Sequence, residues 1–160
     1  MDLARAVPLE IDLDAELVAA YPLLARRLTV ILRDPDEAQD VAQSAFARAL
    51  EQRRRFRGGD VRAWLYTIGI RLALNELRRR QRLVALSDVQ EPEWAMASEP
   101  DLWLALEKIE PKQRAALVLA TLDGFTHAEI ARILGAREGT VSSWISRSKD
   151  GLRAALGDDR

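Results

Sequence analysis

The sequence contains no cysteine, which excludes both disulfides and thiolate metal sites. Its single histidine, His127, has no cysteine partners, makes no zinc site and reads as an exposed first-turn residue. No apolar run approaches the roughly 20 residues that span a bilayer. The acidic start, "MDLARAVPLEIDLDAEL", lacks the basic residues and apolar core of a signal peptide. A cytoplasmic chain without membrane insertion is therefore expected. Catalytic signatures are missing too: no Walker loop, no G-x-G-x-x-G after a strand, and no nucleophile–base pair. The expectation is a protein that is not an enzyme and needs no cofactor.

What is present is a chain of 160 residues, enough for one ordinary domain or two small ones. Hydrophobic residues make up 48% and charged residues 31%, a balance that favours folding over disorder. The formal net charge is only -1, but it is unevenly placed. Residues 48–82 hold 11 basic and 3 acidic side chains, whereas residues 1–47 hold 4 and 9, and residues 83–125 hold 3 and 8. A basic block between acidic flanks points to a polyanion site, although an isolated charge run is more often a solvated helix face.

Helical periodicity runs through almost every segment, with no convincing strand alternation and no internal repeat. A short helix is expected over Asp14–Ala20, with Pro22 in the first turn of another that ends near Leu32. In "RDPDEAQDVAQSAFARALEQ", Asp34 is placed to cap and Pro35 to open a helix, and Ala38, Val41, Ala42, Ala45, Phe46 and Ala49 form its apolar stripe. Gly58 and Gly59 break the pattern, and Asp60 is placed to cap the helix that contains Trp64–Arg82. "SDVQEPEWAMASEP" shows no amphipathic face and reads as a linker. Helices are then expected over Asp101–Ile109, Pro111–Leu122, Thr126–Leu134 and Glu138–Leu156. The expected fold is all-α: two small helical domains, residues 1–83 and 101–160, joined by a flexible acidic linker at 84–100.

The second domain carries a helix-turn-helix pattern in "THAEIARILGAREGTVSSWISRSK". Thr126 and Glu129 form a T-x-x-E capping box. Ala131 is small where two helices cross, Gly135 suits the sharp turn, and Val141, Ile145, Ser148 and Leu152 face inward. Ser142, Ser143, Ser146, Arg147 and Asp150 face outward, where serines and arginine can contact bases or phosphates. A plain helical hairpin has the same small–Gly–aliphatic spacing, so the basic block is what tilts the reading toward DNA. Trp144 reads as partly buried rather than stacked on DNA.

In the first domain, "WLYTIGIRLALNELRRRQR" divides by helical spacing. Val61, Leu65, Ile68 and Leu72 line a packing face, while Thr67, Arg71, Asn75, Arg78 and Arg82 line a face suited to phosphates and base edges. Phe56 and Arg57, beside the glycines, suit unstacked bases, but Phe56 could equally be core; for Trp64 the core is favoured. The helix before has a different outer face, Asp36, Glu37, Gln39, Asp40 and Gln43. Carboxylates repel phosphate, so a basic protein partner or simple solvation fits it better.

These stretches, in this order and spacing, resemble the extracytoplasmic-function group of bacterial sigma factors over nearly the whole chain. The resemblance implies that the first domain clasps RNA polymerase core, through the β′ coiled coil and the β subunit. Asp36, Gln39, Asp40 and Gln43 would lie on the clasping helix. It also implies that Phe56 and Arg57 handle a flipped -10 base and that the Trp64–Arg82 helix, with Thr67, Arg71, Asn75, Arg78, Arg79 and Arg82, holds the opened strand. Ser142, Ser143, Ser146 and Arg147 would contact the -35 duplex of promoter DNA. Anti-sigma control is common in the family, though the sequence carries no direct sign of that partner.

Four places depart from the family pattern. Ser44 stands where an acidic residue is usual, and "IGIR" replaces "I-A-x-N", putting Arg71 at an asparagine position. "NELR" replaces "D-E-L-R", giving Asn75. "GTVSSW" replaces "G-T-V-K-S-R", so that Ser142 and Trp144 remove two basic residues and weaker -35 binding is expected. A sigma-like mimic that sequesters an anti-sigma factor, or a stand-alone helix-turn-helix regulator, are the competing functions. The retained arginine block disfavours the mimic, and the first domain disfavours the regulator.

Overall fold

The computed structural model describes residues 11–86 and 100–157, and every regular element among them is helical. Helices α1 (Leu13–Leu32), α2 (Pro35–Glu51) and α3 (Val61–Leu86) form one unit, with a single 3-10 turn at Arg53–Arg55 before α3. Helices α4 (Pro100–Glu107), α5 (Pro111–Leu122), α6 (His127–Leu134) and α7 (Glu138–Leu156) form the other. Most of the expected linker lies outside the described residues, and its first three positions continue α3.

Local capping sets most boundaries. The Asp34 carboxylate accepts from the Asp36 and Glu37 amides at 3.0 and 3.1 Å, and Pro35 stands next to it in the first turn, where its missing N–H costs nothing. Gly58 and Gly59 adopt φ of +99° and +93°, and Asp60 then caps α3 through the Arg62 and Ala63 amides.

One expectation is corrected. α1 is a single helix, with Pro22 inside it instead of at the start of a second one. Leu17, Ala20, Leu24, Leu28 and Ile31 are all buried along one stripe that runs past the proline. Pro22 is exposed, and so is Val18, the residue whose carbonyl loses its helical partner. Continuous burial on one face thus outweighs a hydrogen bond lost on the solvent face.

The two units also share a hydrophobic core. Leu24, Leu28 and Ile31 of α1 and Tyr66 and Ile70 of α3 belong to the same buried cluster as Leu119, Phe125, Ile130 and Ile133. The sequence predicts two tethered domains, and nothing in its local pattern announces a joint between them. Their contact decides what the α3 face can reach.

Candidate nucleic-acid interface

The arginine run at the end of α3 divides into three jobs. Arg80 turns toward α2 and forms ion pairs with Glu37 and Asp34, fastening the two helices. Arg79 pairs with Glu76 one turn back, and this bond holds the Glu76 carboxyl below its usual range. Arg78 and Arg82 are exposed and have no ion-pair partner among the described residues. With Asn75, Gln81 and Ala85 they line an open groove along α3. This is the part of that arginine run available to a polyanion.

Further up the same face the geometry is different. Arg71 donates through Nε to the Ile133 carbonyl at 3.3 Å and through Nη2 to the Arg132 carbonyl at 3.2 Å. Both acceptors lie at the C-terminal, partially negative end of α6. Thr67 is half-buried and donates to the Ala63 carbonyl within its own helix. Helical spacing places Thr67, Arg71, Asn75, Arg78 and Arg82 on one face, and the joint with α6 occupies its first half.

At the entrance to α3, Phe56 and Trp64 are both half-buried, with ring centroids 5.3 Å apart and planes tilted by 51°. Arg57 beside them is exposed and donates to the Arg54 carbonyl at 3.3 Å. A half-buried aromatic pair at the rim of the core, next to an exposed cation and two glycines, is a combination suited to an unstacked base.

The helix-turn-helix is formed as its sequence requires. The Thr126 hydroxyl accepts from the Glu129 amide at 3.2 Å, and Gly135 closes α6 in the left-handed region at φ +64°. Val141, Ile145 and Ser148 are buried in α7, whereas Ser142, Ser143, Ser146 and Arg147 are exposed together on its outer face. Trp144 is half-buried and packs on the core. On α2, Asp36, Gln39, Asp40 and Gln43 are all exposed, and Gln39 accepts from the Tyr21 hydroxyl at 3.1 Å. The acidic surface and the arginine groove therefore belong to one three-helix unit.

Sequence reasoning missed a second constellation. Asp123, in the turn between α5 and α6, has a side chain only 1% exposed. It accepts from Arg27 Nε at 2.9 Å and from the Tyr66 hydroxyl at 3.1 Å, with Arg62 3.8 Å away. Burial, reinforced by Asp123, pushes the Tyr66 phenol well above its ordinary value. Arg114 of α5 is buried and donates to the carbonyls of Leu106, Ile109 and Ile31. Burial, aided by the charge of Arg33, pushes its guanidinium down to about 10. No local signal marks their part in the joint, because the partners they meet across it lie in the other half of the chain.

Comparison with known proteins bears on both units. The Sigma-70 region 2 family model matches residues 17–83, and the Sigma-70, region 4 model matches residues 101–150. The sequence is 31% identical over 159 residues to ECF RNA polymerase sigma factor EcfG of Rhodopseudomonas palustris, covering 94% of this chain and 88% of that one. It is 32% identical to RNA polymerase sigma-H factor of Pseudomonas aeruginosa, covering 78% and 76%. Among solved structures it is similar to the sigma factor RpoE of Bartonella quintana, crystallised with the anti-sigma factor NepR. There the TM-score is 0.78 at 28% identity, over 91% of this chain and 97% of the other. The PhyRSL–NepR complex from Sphingomonas shares the fold, with a TM-score of 0.70 at 16% identity, over 90% and 88% of the two chains.

Proposed function

The chain belongs to the extracytoplasmic-function group of bacterial RNA polymerase sigma factors, and from that premise we infer that it binds polymerase core and directs promoter recognition and DNA opening. One observation carries the reading: a single three-helix unit presents an acidic, amide-rich face on α2 and an open arginine groove on α3. The first face suits a basic protein surface and the second suits a nucleic-acid backbone, and a promoter-specificity subunit needs both at once.

In this reading residues 1–83 make the polymerase- and -10-binding domain, 84–100 the linker and 101–160 the -35-binding domain. Asp36, Gln39, Asp40 and Gln43 meet the β′ coiled coil. Phe56 and Arg57 receive a base flipped from the -10 element, and Asn75, Arg78 and Arg82 hold the strand from which it came. Thr67, Arg71 and Arg79 lie along the same path once their present partners release them. Ser142, Ser143, Ser146 and Arg147 contact the -35 duplex, with the Ser142 hydroxyl and the Trp144 indole standing where the family usually has cations.

The protein carries out no chemistry of its own and works in the cytoplasm, where core polymerase is found. Binding energy stands in for ATP, because unstacking a base costs only a few kcal/mol, within reach of stacking on Phe56 and phosphate contacts from Arg78 and Arg82. An anti-sigma factor is a further partner, and the likeness to the NepR-bound sigma factor supports that assignment. The arginine groove argues against a mere mimic, since sequestering an inhibitor requires no polyanion site.

The test is run-off transcription by purified core polymerase on a promoter library, with and without the chain. Promoter-specific transcripts that appear only with the chain are expected. No such product, together with no stable complex with core, would sink the reading.

A further inference from the structure

The joint between the two units sets a buried carboxylate into their shared hydrophobic core, and it occupies a surface needed elsewhere. Asp123 is enclosed by three side chains from the other unit: Arg27 from α1, and Tyr66 and Arg62 from α3. The Arg62 guanidinium also lies 4.5 Å over the Phe125 ring and donates to the Asp123 carbonyl at 3.4 Å. Phe125 in turn meets Tyr66 edge-on, with centroids 5.7 Å apart. Arg71 closes the far side by bonding the last carbonyls of α6.

The carboxylate makes this joint behave differently from a purely apolar one. A buried carboxylate contributes little net stability while its partners are in place, yet losing one partner leaves a buried charge uncompensated. The joint therefore favours two discrete arrangements, docked or released, over gradual loosening. In the docked arrangement α6 lies against the first half of the α3 face and Arg71 is directed into protein carbonyls instead of phosphates. In the released arrangement Arg71 rejoins Asn75, Arg78 and Arg82 on a continuous basic face.

We propose that Asp123 is the latch of a self-inhibited state, in which the helix-turn-helix unit docks on α3 and engages the Arg71 guanidinium with its own carbonyls in place of single-stranded DNA. The proposal rests on reading α3 as the strand-holding face. The docked chain keeps the serine face of α7 and the acidic face of α2 exposed, so polymerase core can engage α2 before the latch opens. Any partner that binds the released arrangement better, core polymerase included, then shifts the balance toward DNA binding by that difference in affinity.

Because the chain has no cysteine, Glu51→Cys and Lys149→Cys place spin labels on exposed positions of α2 and α7, one in each unit. Pulsed electron–electron resonance on the full chain reads their separation, and anisotropy with a fluorescein-labelled single-stranded oligonucleotide reads DNA affinity. Asp123→Asn removes the latch charge, and Arg27→Gln loosens the same site from a residue remote from the α3 face. Arg71 itself is not altered, because it serves both states.

Longer label separations and roughly tenfold tighter oligonucleotide binding are expected in both variants, with helix content unchanged. Unchanged separations in a folded variant would overturn the latch, as would longer separations without tighter binding. If Asp123→Asn loses helix content, Arg27→Gln alone decides between these outcomes. Core binding is followed separately by gel filtration; its absence would sink the sigma reading and leave the separation result standing.

Discussion

The Tyr66 hydroxyl on α3 donates a 3.1 Å hydrogen bond to a carboxylate 57 positions downstream, Asp123 in the turn between α5 and α6. Burial raises the Tyr66 pKa first, and the charge of Asp123 and the hydrogen bond raise it further, above the ordinary value of 10.0. The folded chain thus retains this proton where the unfolded chain loses it. Its contribution is fully present below pH 10.0 and declines as the pH rises above that value.

Tyr66→Phe removes both the bond and the titration. At pH 7 the variant is expected to be less stable by about 2 kcal/mol, the size of a hydrogen bond to a charged acceptor. Above pH 10.0 the gap should narrow, because only the wild type gains an ionisable unfolded phenol. Parallel urea denaturation at neutral and alkaline pH checks this. A gap that stays constant, or widens, contradicts it.

Gly69 of α3 packs directly against Leu24 of α1. A Cβ there would sit 2.8 and 2.9 Å from the two terminal methyls of Leu24, which is fully buried. Gly69→Ala gains about 1 kcal/mol of helix propensity, but overpacking costs about 1–3 kcal/mol. Net destabilisation of roughly 1 kcal/mol is expected in thermal or urea unfolding. Adding Leu24→Val should recover part of it, and no recovery would mean the clash lies elsewhere.

Ser148 faces the core of the second unit, 2% exposed, and its Oγ has no hydrogen-bond partner among the described residues. An unpaired buried hydroxyl costs about 1–3 kcal/mol. Ser148→Ala removes it and also favours the helix. The variant should unfold at a higher urea concentration than the wild type, with the same slope. A loss of stability would indicate that the hydroxyl is satisfied in solution.

How much of the fold and the interface is legible in the sequence depends on how far each signal reaches. Asp34, Asp60, Thr126 and Gly135 act on amides or carbonyls a few positions away, so their caps can be read directly. The outer faces of α2, α3 and α7 come from helical spacing alone. Pro22 misleads, because a proline commonly opens a helix and the buried stripe passing beneath it is a tertiary fact. Gly69 carries no signal in the sequence, and only the placing of Leu24 against it shows why a glycine stands there. Asp123, Arg114 and Arg71 give no warning of the joint, since the partners they meet across it lie 57 to 96 positions distant. Charge in a sequence shows that a partner is needed without saying where in the chain it lies.

In the proposed function the exposed arginines of α3 hold opened promoter DNA while α2 holds the polymerase. Permanganate reactivity of thymines near the -10 element, measured with core polymerase and full-length chain on one promoter, tests it most directly. The wild type should expose those thymines. Arg78→Ala with Arg82→Ala should abolish most of that reactivity while core binding stays nearly intact, and Asp40→Lys should reduce core binding itself. Undiminished reactivity in the double variant, or an equal loss of its core binding, would contradict the account.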